Sequence, residues 1–133
     1  NSYEMIARSS ILNSLVGSMA QIPLANASVD VVLCGLAVGH YANLEVILHE
    51  ISRVLKIGGQ AIISDFHPFQ YLSGARRTFI SENTVYEVEH YPHLYQTLHN
   101  ASGSAGLSID AIREPVIQGQ MIPVVIVYRL IKR

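Results

Sequence analysis

Apolar and polar positions divide this chain into short strands around one strongly patterned helix. Val29-Asp30-Val31-Val32-Leu33-Cys34 is an apolar run broken by a single acid. Its length and β-branched content predict a buried strand. Further on, Leu44, Ile47, Leu48, Ile51, Val54 and Leu55 form one stripe, and Glu45, His49, Glu50, Ser52 and Arg53 form the other. That spacing predicts an amphipathic helix. Asn43 is placed to cap its start, and Gly58-Gly59 reads as its C-cap. Gln60 to Asp65 then predicts a second buried strand. The order strand, helix, strand implies a βαβ unit with a parallel pair.

The flanks are less regular. Ser2-Tyr3-Glu4-Met5-Ile6 reads as a helix start with Ser2 as N-cap, continued by Ser9, Leu12 and Leu15 at helical spacing. Leu15 to Ala20 is a short strand candidate, and Pro23 to Ser28 a loop. Beyond Pro68, Arg77 to Ile80 and Thr84 to Tyr91 flank Ser81-Glu82-Asn83 as a hairpin. Pro92 fits the first turn of a helix with Leu94, Leu98, Ala101 and Ala105 on one face and Gly106 at its end. Ser108 to Glu114 and Val124 to Leu130 read as antiparallel neighbours, because their connection is short.

Composition narrows the class. A chain of 133 residues that is 50% hydrophobic and 14% charged suits a single well-buried α/β domain, not a disordered one. A net charge of −1 with no basic stripe argues against nucleic-acid binding through a charged face. The one cysteine, Cys34, allows no internal disulfide and reads as a small buried hydrophobe in a reducing, cytoplasmic setting. No uninterrupted apolar run reaches the ~18 residues of a membrane span.

Candidate chemistry gathers at strand ends. Ligands in open α/β sheets sit beyond the carboxyl ends of parallel strands. Asp65 and His67 lie at one such end, in Asp65-Phe66-His67-Pro68, and His40 follows the other. A histidine there is chemically suited to take a proton from a substrate nucleophile. The plainer reading makes Asp65 a turn cap and His67 a loop residue held extended by Pro68. The six histidines form no metal-site spacing: His49-Glu50-Ile51-Ser52-Arg53 lacks the second histidine of a zinc helix, and His90, His93 and His99 are loosely spaced. Asp30, just before an apolar run, is a candidate catalytic acid, but the favoured reading makes it the acid of a strand's entry turn. Gly58-Gly59 follows a helix, which is the wrong side for a phosphate cradle.

A family resemblance links these pieces. Met19-Ala20-Gln21-Ile22-Pro23, Ser28-Val29-Asp30-Val31-Val32, Ala37-Val38-Gly39-His40 and Glu50-Ile51-Ser52-Arg53-Val54-Leu55-Lys56-Ile57-Gly58-Gly59 occur in order. Together they resemble the class I S-adenosylmethionine-dependent methyltransferases of the UbiE-like group. Ala105-Gly106-Leu107 and Arg113-Glu114-Pro115 agree with the family's C-terminal pattern, and Ser2-Tyr3-Glu4-Met5-Ile6 with a helix start that follows its ribose-binding acid. The glycine-rich loop that wraps the cofactor's methionine portion in that family has no counterpart here, and Ser18 stands where an acid usually precedes the adenine-flanking pair.

The resemblance implies a Rossmann-like methyltransferase fold, truncated at the N-terminus by its first two strands, with parallel strands followed by an antiparallel C-terminal pair and helices on the faces. It implies S-adenosylmethionine as cofactor and a small-molecule or acyl- or lipid-like methyl acceptor. Ser18, Met19 and Ala20 would border adenine, Cys34, Gly35 and Leu36 the methionine portion, and His40 and His67 the acceptor, one of them as base. The 133-residue segment would be inactive alone, with an exposed strand edge that favours self-association. A non-catalytic α/β scaffold or binding module derived from this fold is the alternative.

Overall fold

Asn43 opens the helix that organises the molecule. In the computed structural model, which describes residues 2–8, 10, 13–119 and 121–133, the Asn43 side chain accepts from the backbone N–H groups of Glu45 and Val46. These are donors that a helix start leaves unpaired. Helix α2 runs Leu44–Val54. It is preceded by helix α1, Ser2–Ala7, strand β1, Val29–Gly35, and a single 3₁₀ turn at Val38–His40. Strand β2, Leu55–Phe66, and helix α3, Pro68–Leu72, follow. A separate hairpin of β3, Thr78–Ser81, and β4, Thr84–Glu87, leads to helix α4, Tyr95–Ser104. The chain closes with β5, Leu107–Arg113, and β6, Val125–Lys132.

The main sheet has the order β1-β2-β6-β5. β1 and β2 are parallel, while β6 runs antiparallel to both β2 and β5. The expected parallel pair followed by an antiparallel pair is therefore present. Register places Ala61 opposite Leu130, Ile63 opposite Tyr128 and Asp65 opposite Ile126. These positions share one face, because side chains alternate along a strand. Ile47, Leu48 and Ile51 of α2 and Leu98 of α4 join them in one buried cluster.

Several expectations are corrected. The β1 run is not buried on both faces: Leu33 is 76% and Val31 54% exposed. β1 is the sheet edge, and among the described residues α2 and α4 both pack on the opposite face. Gly58-Gly59 does not cap α2. Leu55 is already extended, and the last carbonyls of α2 are closed by Lys132, whose Nζ donates to Ser52 O at 2.7 Å and Leu55 O at 2.8 Å. A cation suits that negative helix end. The two glycines serve a bulge inside β2, where the register steps from Val29–Leu55 to Val31–Gln60. Gly58 takes φ +79° there, and a Cβ on Gly59 would lie 2.9 Å from the Lys56 carbonyl oxygen.

Leu15 to Ala20 forms no strand. Ser18 and Gln21 make an isolated bridge around a tight turn, and no ladder partner lies beside the segment among the described residues. The helix expected from Ser2 ends at Ala7; Ser9 and Leu12 lie outside the described residues. Ser2 belongs to that helix rather than preceding it. Helix α4 begins at Tyr95, not Pro92. The stretch before it is held extended across the 3₁₀ turn: Tyr91 N donates to Gly39 O at 2.8 Å, and the His93 ring Nε2 donates to Tyr41 O at 2.9 Å. The hairpin forms as expected, with Glu82 at φ 49° and Asn83 at φ 61°, the left-handed pair of a tight type I′ turn.

Candidate functional site

The parallel register brings two strand ends together. Cys34 pairs with Ile63 and Gly35 with Ser64, and Leu36 N donates to Ser64 O at 2.8 Å. The segments Cys34–Leu36 and Asp65–His67 thus leave the sheet side by side. Above Gly35 the space is open, since a Cβ there would meet only Ser64 Oγ, at 3.9 Å. Leu36 turns the chain sharply with φ 53°, a costly conformation for a non-glycine residue and one concentrated at functional sites. Cys34 faces inward, and burial, helped by the Asp65 charge, pushes its thiol above the usual range. It packs; it is not poised as a thiolate.

The turn at Ser18–Gln21 is built from sequence motifs far apart. Ser18 Oγ accepts from Ala20 N at 3.1 Å, which tightens the turn. Met19 packs against the core cluster while Ala20 is exposed. Behind the turn, Glu50 accepts from Ile22 N at 2.8 Å. Arg53 donates to Ile22 O at 2.7 Å, Leu24 O at 2.8 Å and Asn26 Oδ1 at 2.8 Å, and pairs with Glu50 at 2.8 Å. Hydrogen bonding to Arg53 holds the Glu50 carboxyl at about 2, well below the usual carboxylate range. The Glu-Ile-Ser-Arg segment of α2 is therefore a clamp for the loop that carries Met19 and Ala20. Asp30, by contrast, is exposed in β1 and paired with Lys56 at 2.9 Å.

The two candidate histidines differ sharply. His40 ends the 3₁₀ turn and is exposed. His67 is 1% exposed. Its Nδ1 accepts from Phe69 N at 3.2 Å, so Nε2 carries the proton and donates to Glu114 Oε1 at 3.1 Å. Tyr95 Oη donates to the same carboxylate oxygen at 2.7 Å. Hydrogen bonds from His67 first, then Tyr95, hold Glu114 below its usual value; burial, aided by Glu114, pushes Tyr95 up to about 12. His67, Tyr95 and Glu114 thus tie α3, α4 and the end of β5 together.

Two residues outside the sequence-based set stand beside this end of the sheet. The His90 side chain is 6% exposed, and its Nε2 lies 3.6 Å from Asp65 Oδ1, beyond hydrogen-bond length. Burial lowers its imidazole below the usual value, against the pull of Asp65. Gly39 makes room for it: a Cβ at Gly39 would lie 2.3 Å from His90 Nε2 and 2.6 Å from Asp65 Oδ2. Arg77 sits over the Phe66 ring at 4.5 Å. Both border a cavity of about 770 Å³ between α3, the hairpin and residues 87–92. Nothing in the local sequence marks either residue, because their partners come from distant elements. Among the described residues, no group of three or more His, Cys, Asp or Glu side chains is arranged to hold a metal.

Comparison with known proteins places this arrangement. The family described as Methyltransferase domain matches residues 2–63. The structure resembles an S-adenosylmethionine-dependent methyltransferase from Mesorhizobium loti with TM-score 0.73 and 15% identity, over 97% of this chain and 76% of that one. It resembles another from Clostridium acetobutylicum with TM-score 0.71 and 10% identity, over 98% and 69%. The chain carries the class I S-adenosylmethionine-dependent methyltransferase fold. A stretch of 51 residues is 43% identical to the ubiquinone/menaquinone biosynthesis C-methyltransferase UbiE of Rubrivivax gelatinosus, covering 38% of this chain. The aligned stretch is 20% of that relative's length.

Both solved structures are S-adenosylmethionine-dependent methyltransferases. Gly35 leaves open space beside its backbone, Leu36 turns the chain away from the strand end, and the turn at Ser18–Ala20 is held by its own hydrogen bond. No helix of the methyltransferase fold described here is long and apolar enough to cross a membrane.

Proposed function

We propose that this chain is the C-terminal part of a methyltransferase domain, lacking the first two strands, and that the complete domain transfers a methyl group from S-adenosylmethionine to a small-molecule acceptor. The observation that carries this reading is the pairing of Gly35 with Ser64 in parallel strands, which brings Gly35–Leu36 and Asp65 out side by side at the carboxyl end of the sheet. Beside it lies a cavity of about 770 Å³, within the ~300–1,000 Å³ of small-molecule sites.

In this reading Ser18, Met19 and Ala20 border the adenine, and Cys34, Gly35 and Leu36 the methionine portion. The cofactor supplies an electrophilic methyl on a sulfonium. The chain's residues orient the acceptor, exclude water and move a proton. His40, exposed at the end of the 3₁₀ turn, is the group that takes the acceptor's proton. His67, with both ring nitrogens engaged, positions α3 and the start of the acceptor region. Among the described residues no glycine-rich loop joins a strand to a helix start, which supports weak cofactor binding and no turnover by the 133-residue chain alone.

The test compares this chain with the polypeptide of its whole reading frame by calorimetry with S-adenosylhomocysteine. Saturable binding by the whole polypeptide, weakened at least tenfold by Gly35→Val, is expected. Absence of binding in both would favour the scaffold reading and remove this one.

A further inference from the structure

The cavity beside the sheet end contains unpaired polar groups that no partner within the chain satisfies. Arg77 Nη1 is buried with no hydrogen-bond partner, and so is His90 Nε2, whose neighbouring Asp65 Oδ1 lies 3.6 Å away, beyond hydrogen-bond length. Leaving a buried guanidinium N–H or ring nitrogen unpaired is costly, so both groups favour a ligand that pairs them. The neighbouring Arg76 differs. It stacks on Tyr71 at 4.4 Å, donates to Tyr71 O and Ala75 O, and lies 3.6 Å from Glu87. Its charge is matched. Arg77 has no carboxylate in ion-pair range among the described residues.

The cavity's two carboxylates are also engaged: Glu87 faces Arg76, and Glu89 accepts from the Tyr91 hydroxyl. Asp65, just outside the lining, accepts from Phe66 N at 2.8 Å. Arg77 is held in place by stacking on Phe66, and its fork geometry suits a planar carboxylate. The remaining walls are apolar or aromatic, with Phe66, Tyr71, Val88, Pro92 and Val124 among them.

We propose that this cavity binds a carboxylate carried on a ring or other compact apolar body, with Arg77 as the anion ligand and His90 as the second polar contact. The inference rests on the methyltransferase reading for its meaning: the carboxylate is the handle by which the acceptor is held, separate from the atom that is methylated. The site itself is contained within this chain.

The probes are sodium benzoate and the neutral isostere benzamide, titrated into the 133-residue chain and followed by the histidine and arginine side-chain resonances. Benzoate should bind saturably, shift the His90 and Arg77 signals, and bind at least tenfold more tightly than benzamide. Arg77→Gln should weaken benzoate at least tenfold and leave benzamide within twofold. Arg77→Lys keeps the charge but not the fork, and should weaken benzoate threefold or more; it covers the case in which Arg77→Gln does not fold. Equal affinity for the two probes, unchanged benzoate affinity in the lysine variant, shifts centred elsewhere, or binding of neither probe would each overturn the proposal. Binding of S-adenosylhomocysteine to the whole polypeptide is measured separately. Its loss with benzoate binding retained sinks the methyltransferase reading alone, and the converse sinks the carboxylate site alone.

Discussion

Glu50 and Arg53, one turn apart on α2, grip the loop of residues 22–26 from both sides: the carboxylate takes the Ile22 amide, and the guanidinium takes the Ile22 and Leu24 carbonyls. A local ion pair at this spacing on a helix contributes little by itself. Here it also satisfies loop backbone groups, and those groups hold the turn that carries Met19 and Ala20.

Glu50→Gln should therefore destabilise the chain by about 2 kcal/mol, the scale of a hydrogen bond to a charged group. The same carboxylate sets an acid limit. Its folded value, about 2, lies below its unfolded one, so its stabilisation is fully present above the ordinary glutamate range near ~4.3 and fades as pH falls toward 2. Urea melts from pH 6 to pH 2.5 should show a steeper loss for the native chain than for Glu50→Gln. Parallel curves would remove the clamp.

Gly39→Ala should be disruptive although Gly39 has ordinary helical or extended φ. The added methyl would clash with His90 Nε2 and lie 2.6 Å from Asp65 Oδ2, so both buried side chains would have to move from their present positions. Overpacking of this kind costs roughly 1–3 kcal/mol. A lowered melting midpoint together with loss of the His90 resonance shift on adding benzoate is expected. A variant as stable as the native chain, with an unmoved His90 signal, would contradict the packing described.

Burial of His90 has its own pH consequence. Its folded value is depressed below the usual ~6.5, so protonation favours the unfolded chain. Stability from this group is present above ~6.5 and is lost as pH falls from there toward the lowered folded value. Asp65, Arg77 and His40 act on it from β2, the hairpin and the 3₁₀ turn. Replacing His90 with Gln should flatten the stability profile between pH 7 and pH 5, read by thermal melts. An unchanged slope would assign that titration to another group.

The free edge of β1 should drive association of the isolated chain. Val31 and Leu33 are exposed on an edge strand whose outer side no described residue pairs, which is a template for pairing with a second copy. Light scattering at tens of micromolar should show species larger than a monomer, and Leu33→Lys should shift them toward monomer. A monodisperse monomer for the unaltered chain would end this expectation.

Much of the architecture was legible in local pattern. The α2 stripe, the Asn43 cap, the order of strands and helices, and the tight hairpin turn all depend on residues close in sequence. The strand-helix-strand order likewise foretold the parallel pair that brings the ends of β1 and β2 together. What could not be read locally was what each marked residue faces. Gly58-Gly59 looks like a helix terminator from its neighbours, yet Lys132, from the far end of the chain, closes that helix and frees the glycines for a bulge. His40 and His67 looked equivalent, but one is exposed and the other is sealed between Phe69, Tyr95 and Glu114.

By itself, then, the sequence determined periodicity, caps, turn chemistry and the order of elements, because those depend on backbone sterics and side-chain spacing within a few residues. The tertiary structure alone decided that Arg77 and His90 border one cavity, and that His67 is bound on both nitrogens. Burial and pairing are set by atoms from segments distant along the chain, and no local pattern encodes which of them will meet.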